Sequence, residues 1–229
     1  MKLFEFPDTA TCAVALAGAL AVVLERALAE QSRVTLALSG GRSPQTVLPL
    51  LAAIALDWQC VYVTLVDERR VAPDHADSNA GMVQRCFLEQ GAAAATFLPL
   101  WTGKLAPDDA VTDAQARLSA VLPADIAYLG MGPDGHIASL FPTKNAAAFG
   151  GSNKQVILTE APSPPHNRIS MTLESLLQIP HLFCTPPALT NDRCLLRRVG
   201  MRRHRRCLFR CSFMPGLTCR FLPAPEPSR

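Results

Sequence analysis

The sequence predicts an α/β domain, doubly wound, with a mainly parallel sheet and helices on both faces. Three observations carry that prediction. Short apolar runs rich in β-branched residues alternate with longer helical stretches from residue 8 to residue 173. Polar, glycine-containing clusters follow directly on several of the β runs, as they do at the ligand edge of open α/β sheets. The 229 residues, 49% hydrophobic and 18% charged, suffice for one sizeable core and are too apolar for a disordered chain.

Taken in order, residues 8–30 form an Ala/Leu-rich helix capped by Asp8 or Thr9, and 33–38 form a strand that runs into Ser39-Gly40-Gly41. Pro44 fits the first turn of the next helix, 44–55, where its missing N–H loses no partner. The apolar run 60–66 stops at Asp67-Glu68-Arg69-Arg70, which reads as the polar turn after a strand. A helix over 78–90, a strand over 96–100, a helix near 107–121, a strand over 124–129 and β runs over 154–160 and 168–173 continue the alternation. Residues 12–24 imitate a signal-peptide core, but Glu5 and Asp8 spoil a basic leader. Thirteen apolar residues also fall short of a bilayer, so neither secretion nor a membrane anchor is expected.

The composition changes after Phe183. Residues 184–229 hold ten Arg, no Lys, six Pro and two acids, a net charge of +8, which leaves −5 on the first 183 residues. Five of the eight cysteines fall in the same 46 residues, and Cys12, Cys60 and Cys86 in the remainder read as a reduced, cytoplasmic body. The organisation expected is one domain over 1–183 and an anomalous Arg/Cys/Pro-rich tail over 184–229 with little regular structure. Ten arginines could in principle grip phosphates as a nucleic-acid arm. The tail cysteines lack a paired metal spacing, however, and His204 with Cys194 completes no finger, so neither nucleic acid nor zinc is an expected partner.

Three polar clusters follow predicted strands: Ser39 to Pro44, Asp67 to Arg70, and Gly130 to His136. The first joins close-approach glycines to a helix N-terminus that favours an anion. The third matches G-x-G-x-x-G, but Pro142 and Gly150-Gly151 leave no room for the crossover helix of a dinucleotide site, and Asp134 would repel a pyrophosphate. His136 suits a general acid or base, with Asp134 or the acids Asp67 and Glu68 to orient it. Arg69, Arg70 and Arg168 are candidate phosphate clamps, guanidinium being suited to bidentate contacts.

Five ordered segments, LSGGRSP (38–44), VDERRV (66–71), DHADSNAGMV (74–83), GMGPDGHIASLFP (130–142) and PPHNRISMTL (164–173), jointly resemble the 6-phosphogluconolactonase family over residues 1–183. The resemblance implies the fold shared with glucosamine-6-phosphate deaminases and ribose-5-phosphate isomerases. It also implies hydrolysis of 6-phospho-D-glucono-1,5-lactone to 6-phosphogluconate in the oxidative pentose phosphate pathway, with no metal and no cofactor. Position by position, it makes His136 the base that activates water and Asp67 the supporting acid. Substrate then falls to Gly40, Gly41, Arg42, Asn79, Gly132 and Asp134, and its phosphate to Arg69 and Arg168. Backbone N–H groups of the 130–135 loop would hold the oxyanion. The expected partner is the small-molecule phosphosugar lactone, and the expected state is a monomer.

Two departures stand out. Ile137 occupies a position where lactonases usually carry Thr and deaminases read GHI, which keeps a phosphosugar deaminase or isomerase as the second reading. After His181-Leu182-Phe183 the family pattern stops, and the text that follows is what a shifted reading frame of a GC-rich gene yields. A frameshift near 184 is therefore expected.

Overall fold

The computed structural model describes residues 2–103, 106–141, 154–185 and 194–200. Its largest sheet is built outward from a fully buried interior strand. Strand β2 (Val34–Leu38) is buried at every position, as a central parallel strand covered on both faces must be. It pairs in parallel with β3 (Val61–Leu65) on one side and β6 (Ile126–Gly130) on the other. Beyond β3 lies β5 (Thr96–Leu98), and beyond β6 lies β9 (His181–Thr185), both parallel to their neighbours. Strand β1 (Lys2–Phe6) completes the sheet through β10 (Cys194–Gly200), giving the order β1-β10-β9-β6-β2-β3-β5.

The helices fall where their signals lie. In α1 (Thr9–Glu30) Asp8 is the cap, its carboxylate accepting the Thr11 N–H at 2.7 Å. Its inner face of Cys12, Leu16, Leu20 and Leu24 is buried. The count of thirteen apolar residues understates this helix, whose 22 residues are long and apolar enough by length and composition to cross a membrane. Here half of that window is buried within the protein, against the core and α2 (Arg42–Ala52). Pro44 sits in the first turn of α2, as its chemistry requires. The predicted helix 78–90 divides into α3 (Asn79–Val83), capped by Ser78, and a π-helical turn over Gln84–Leu88. The helix near 107–121 is α4 (Pro107–Leu118).

Two expectations are corrected. The β runs near 154–160 and 168–173 are β7 (Val156–Glu160) and β8 (Asn167–Met171), and they do not extend the parallel sheet. They pair antiparallel in a second, three-stranded sheet, order β4-β8-β7. The six residues between them are too few for the crossover that parallel pairing demands. The third member is β4 (Asp67–Arg69), so the charged cluster taken as a turn is itself a strand. A short α5 (Leu173–Leu177), capped by Thr172, follows β8.

The compositional boundary after Phe183 falls inside β9, and Cys194–Gly200 lies in a region whose text suggests little regular structure. As β10 it nonetheless pairs antiparallel with both β9 and β1.

Candidate active site

The chain leaves β2 toward β3 on one side and later enters β6 on the other, so the strand order reverses between β2 and β6. Ligands of open α/β sheets bind at such a switch point, outside the carboxyl ends of the strands. Here the two loops are stitched together, since the Gly130 N–H donates to Ser39 Oγ at 3.1 Å. A cleft of about 380 Å³ opens there, and it takes in residues from all three sequence clusters.

Gly40 and Gly41 form its floor beside α2. A Cβ on Gly40 would stand 1.8 Å from Asn79 Oδ1, so only glycine lets the Asn79 amide lie against this loop. Gly41, at φ +104°, turns the chain into α2 and offers no side-chain cap, which leaves the first-turn amides beside the cleft to other partners. Arg42, exposed on that turn, lines the cleft.

His136 is half-buried on the opposite wall, its Nδ1 2.5 Å from Asp134 Oδ1 and its ring 4.6 Å from that of Phe141. Partial burial pushes the Asp134 carboxyl up, but the hydrogen bonds and charge of His136 outweigh it and hold the group below its ordinary value. Gly132 makes room for the ring, since a Cβ there would lie 2.2 Å from His136 Cε1. Of the acids proposed to orient His136, Asp134 is the one that does.

Alternation along β4 separates the charges of the second cluster. Asp67 and Arg69 line the cleft, whereas Glu68 turns away and is buried beneath α3. Its carboxylate accepts the N–H groups of Arg69, Asn79 and Ala80 at 2.6 to 2.8 Å. Burial nevertheless raises the Glu68 carboxyl above its usual range. Arg70, a candidate clamp in the sequence, stacks on Trp101 at 4.8 Å and does not line the cleft.

Arg69 and Arg168 do line it, directly opposite each other across the β4–β8 pair. Like charges in that register repel. Burial first, and then Arg69, lower the Arg168 guanidinium from its ordinary value. Arg168 Nε is held on the Pro165 carbonyl at 2.7 Å, Arg69 donates to the Asp77 carbonyl, and the buried Arg69 Nε has no hydrogen-bond partner.

Four of the five N–H groups in the 130–135 loop are engaged within the protein, which leaves that of Asp134. Gly130 donates to Ser39, Met131 to the Thr185 carbonyl, Gly132 to the His136 carbonyl and Gly135 to the Gly132 carbonyl, while Pro133 has no N–H. Ser139 and Thr185 also line the cleft, unassigned by the sequence analysis. Ser139 lies in the 130–142 segment, but no residue-type argument distinguishes a buried serine that matters from one that fills space. Among the described residues no group of His, Cys, Asp or Glu could hold a metal ion.

A family model for glucosamine-6-phosphate isomerases/6-phosphogluconolactonase matches residues 7–183. The chain belongs to this family. A 6-phosphogluconolactonase of Pseudomonas putida is 42% identical over 175 residues, which cover 75% of this chain and 72% of the relative. One from Neisseria meningitidis is 39% identical over 186 residues, covering 78% and 80%. The crystal structure of a 6-phosphogluconolactonase from Shewanella baltica superposes with a TM-score of 0.73 at 30% identity, covering 77% of each chain. The doubly wound α/β fold is therefore that of the family, and the family match ends at Phe183, where the composition changes.

Proposed function

We propose that this chain hydrolyses 6-phospho-D-glucono-1,5-lactone to 6-phospho-D-gluconate, a step of the oxidative pentose phosphate pathway, in the cytoplasm. One observation carries the assignment. A histidine–carboxylate pair and a clamp of two facing arginines share one cleft at the switch point of the sheet. Curated relatives about 40% identical are 6-phosphogluconolactonases, which favours the lactone over an amino sugar.

In this reading the substrate phosphate enters between Arg69 and Arg168 and relieves their repulsion. Asp67 accepts a hydroxyl of the sugar, while Asn79 and the Gly40-Gly41 loop bound its ring. With the Nδ1 proton held on Asp134, Nε2 of His136 carries the free lone pair. It takes a proton from water as the water oxygen bonds to the lactone carbonyl carbon, and the carbonyl electrons move onto oxygen. That oxyanion lies toward the first-turn amides of α2, beside Arg42, since most N–H groups of the 130–135 loop are already engaged. Collapse breaks the bond to the ring oxygen, which leaves with the proton returned by His136. The new carboxylic acid then ionises.

The tail is read as out of frame from near codon 184, and the coding DNA read in all frames tests this directly. For function, loss of 6-phosphogluconolactone is followed with spontaneous hydrolysis subtracted, for the chain as written and with the frame restored. Accelerated loss is expected, with no ammonia from glucosamine 6-phosphate. Ammonia release without lactonase activity would make the chain a deaminase.

A further inference from the structure

The base and the phosphate clamp belong to different parts of the fold. His136 follows β6 of the large sheet, whereas Arg69 and Arg168 ride on β4 and β8 of the small one. Something must fix the spacing between them, because the covalent framework of the substrate bounds the span between the reacting carbon and the phosphate, and a misplaced base loses the near-attack geometry.

The described contacts point to one residue. Ser139 is 1% exposed and follows Ala138, a non-glycine residue held at φ +49°. Its hydroxyl donates to Asp67 Oδ2 on β4 at 2.6 Å, and its N–H donates to Ser170 Oγ on β8 at 3.2 Å. Asp67 and Ser170 are themselves cross-strand partners, and Ser170 Oγ passes its own proton to the Met171 carbonyl at 3.0 Å. A buried serine side chain could satisfy itself on a nearby carbonyl, as Ser170 does. Ser139 instead holds a buried carboxylate 72 positions away.

We infer that Ser139 is a positioning residue that acts through Asp67, fixing the carboxylate toward the substrate and clasping the His136 loop to the strands that carry the arginine clamp. This rests on the lactonase reading of the cleft. The hydroxyl occupies one oxygen of Asp67 and leaves the other for the sugar. The backbone bond to Ser170 persists when the side chain is cut back, so Ser139→Ala removes the aim of Asp67 while leaving the loop attached.

The test is a double-mutant cycle on the full chain with Ser139→Ala, Asp67→Asn and both together, paired with a crystal structure of Ser139→Ala. Ser139→Ala is expected to lower kcat roughly 10–100-fold, the scale of a misplaced reacting geometry, with KM within about threefold because the clamp is intact. In the Asp67→Asn background it is expected to cost nothing further. Multiplying losses, or a raised KM with kcat retained, would overturn the inference. If neither form of the chain hydrolyses the lactone, the functional reading fails and the crystal structure decides. An Asp67 carboxylate rotated from its present position supports the role of Ser139, and one that has not moved refutes it.

Discussion

Strands β2 and β4 are both buried, yet they are buried by different physics. Every side chain of β2 is inside, in a run of Val34, Thr35, Leu36, Ala37 and Leu38 that needs only neighbours of fitting shape. In β4 the two acids are just as inaccessible, at 6% and 1% exposure, and each needs a specific donor. Asp67 has Ser139, and Glu68 has the first turn of α3. Apolar burial can be met by many packings, whereas charge burial fixes particular atoms at particular distances. The large sheet is accordingly the platform from which the His136 loop springs, and the small sheet holds Asp67 and the two arginines in register with it.

If that division is right, activity and stability should separate under mutation. The widest separation is at His136, where His136→Ala is expected to lower kcat by roughly 10²–10⁴-fold with little change in melting temperature or substrate binding. Unchanged kcat after background subtraction would remove His136 from the mechanism. A paired comparison sharpens the contrast. Leu36→Ala in β2 is expected to cost about 2–5 kcal/mol of stability. Arg168→Ala in β8 is expected to raise KM about 10–100-fold through loss of a charge-assisted contact. Steady-state kinetics and denaturant titration on the same two proteins would break the comparison if the effects were exchanged.

Gly132→Ala is a subtler probe, since the new Cβ falls on the imidazole edge. A drop in kcat of about tenfold is expected, smaller than deletion of the histidine, because the ring must shift without being lost. The smallest effect concerns pH and has opposite signs at two carboxylates. Asp134 is held below its ordinary 3.8, so its contribution is complete above that value and fades as pH falls through the lower folded-state pKa. Glu68 is raised above its ordinary 4.5, so its ionisation opposes folding increasingly as pH rises from there toward the folded-state pKa. Thermal melts across the acid range should show Asp134→Asn flattening the acid-side loss and Glu68→Gln flattening the loss on the rising side.

The strands that sequence reading placed are those buried by apolar packing. Strands β2, β3 and β6 announce themselves as short apolar runs, and their ends place Ser39–Gly41 and Gly130–His136 at one edge. Strand β4 is invisible to that signal, because an apolar period cannot register a strand made of Asp, Glu and Arg. The consequence reached the site: treated as a turn, the cluster offers Asp67, Glu68, Arg69 and Arg70 on equal terms. Treated as a strand, its two-residue alternation assigns Asp67 and Arg69 to one face and Glu68 to the other. The antiparallel pairing of β7 with β8 is legible in the short connection between the β runs 154–160 and 168–173, which is too short for the crossover a parallel pair needs. The bond between Ser139 and Asp67 lay beyond reach, since a contact across 72 positions leaves no local periodicity.

The place of β10 in the sheet also sets a clock. Strand β1, at residues 2–6, has β10 as its sheet partner, and β10 is residues 194–200. On a ribosome adding about 5–20 residues per second, β1 waits on the order of 10–40 s for the strand it joins. Over that interval α1 and the parallel core can assemble around β2, β3 and β6 while the amino-terminal segment stays undocked. The edge of the large sheet that holds β1 thus closes late, and residues 2–6 take their place in it only after residues 194–200 have been made.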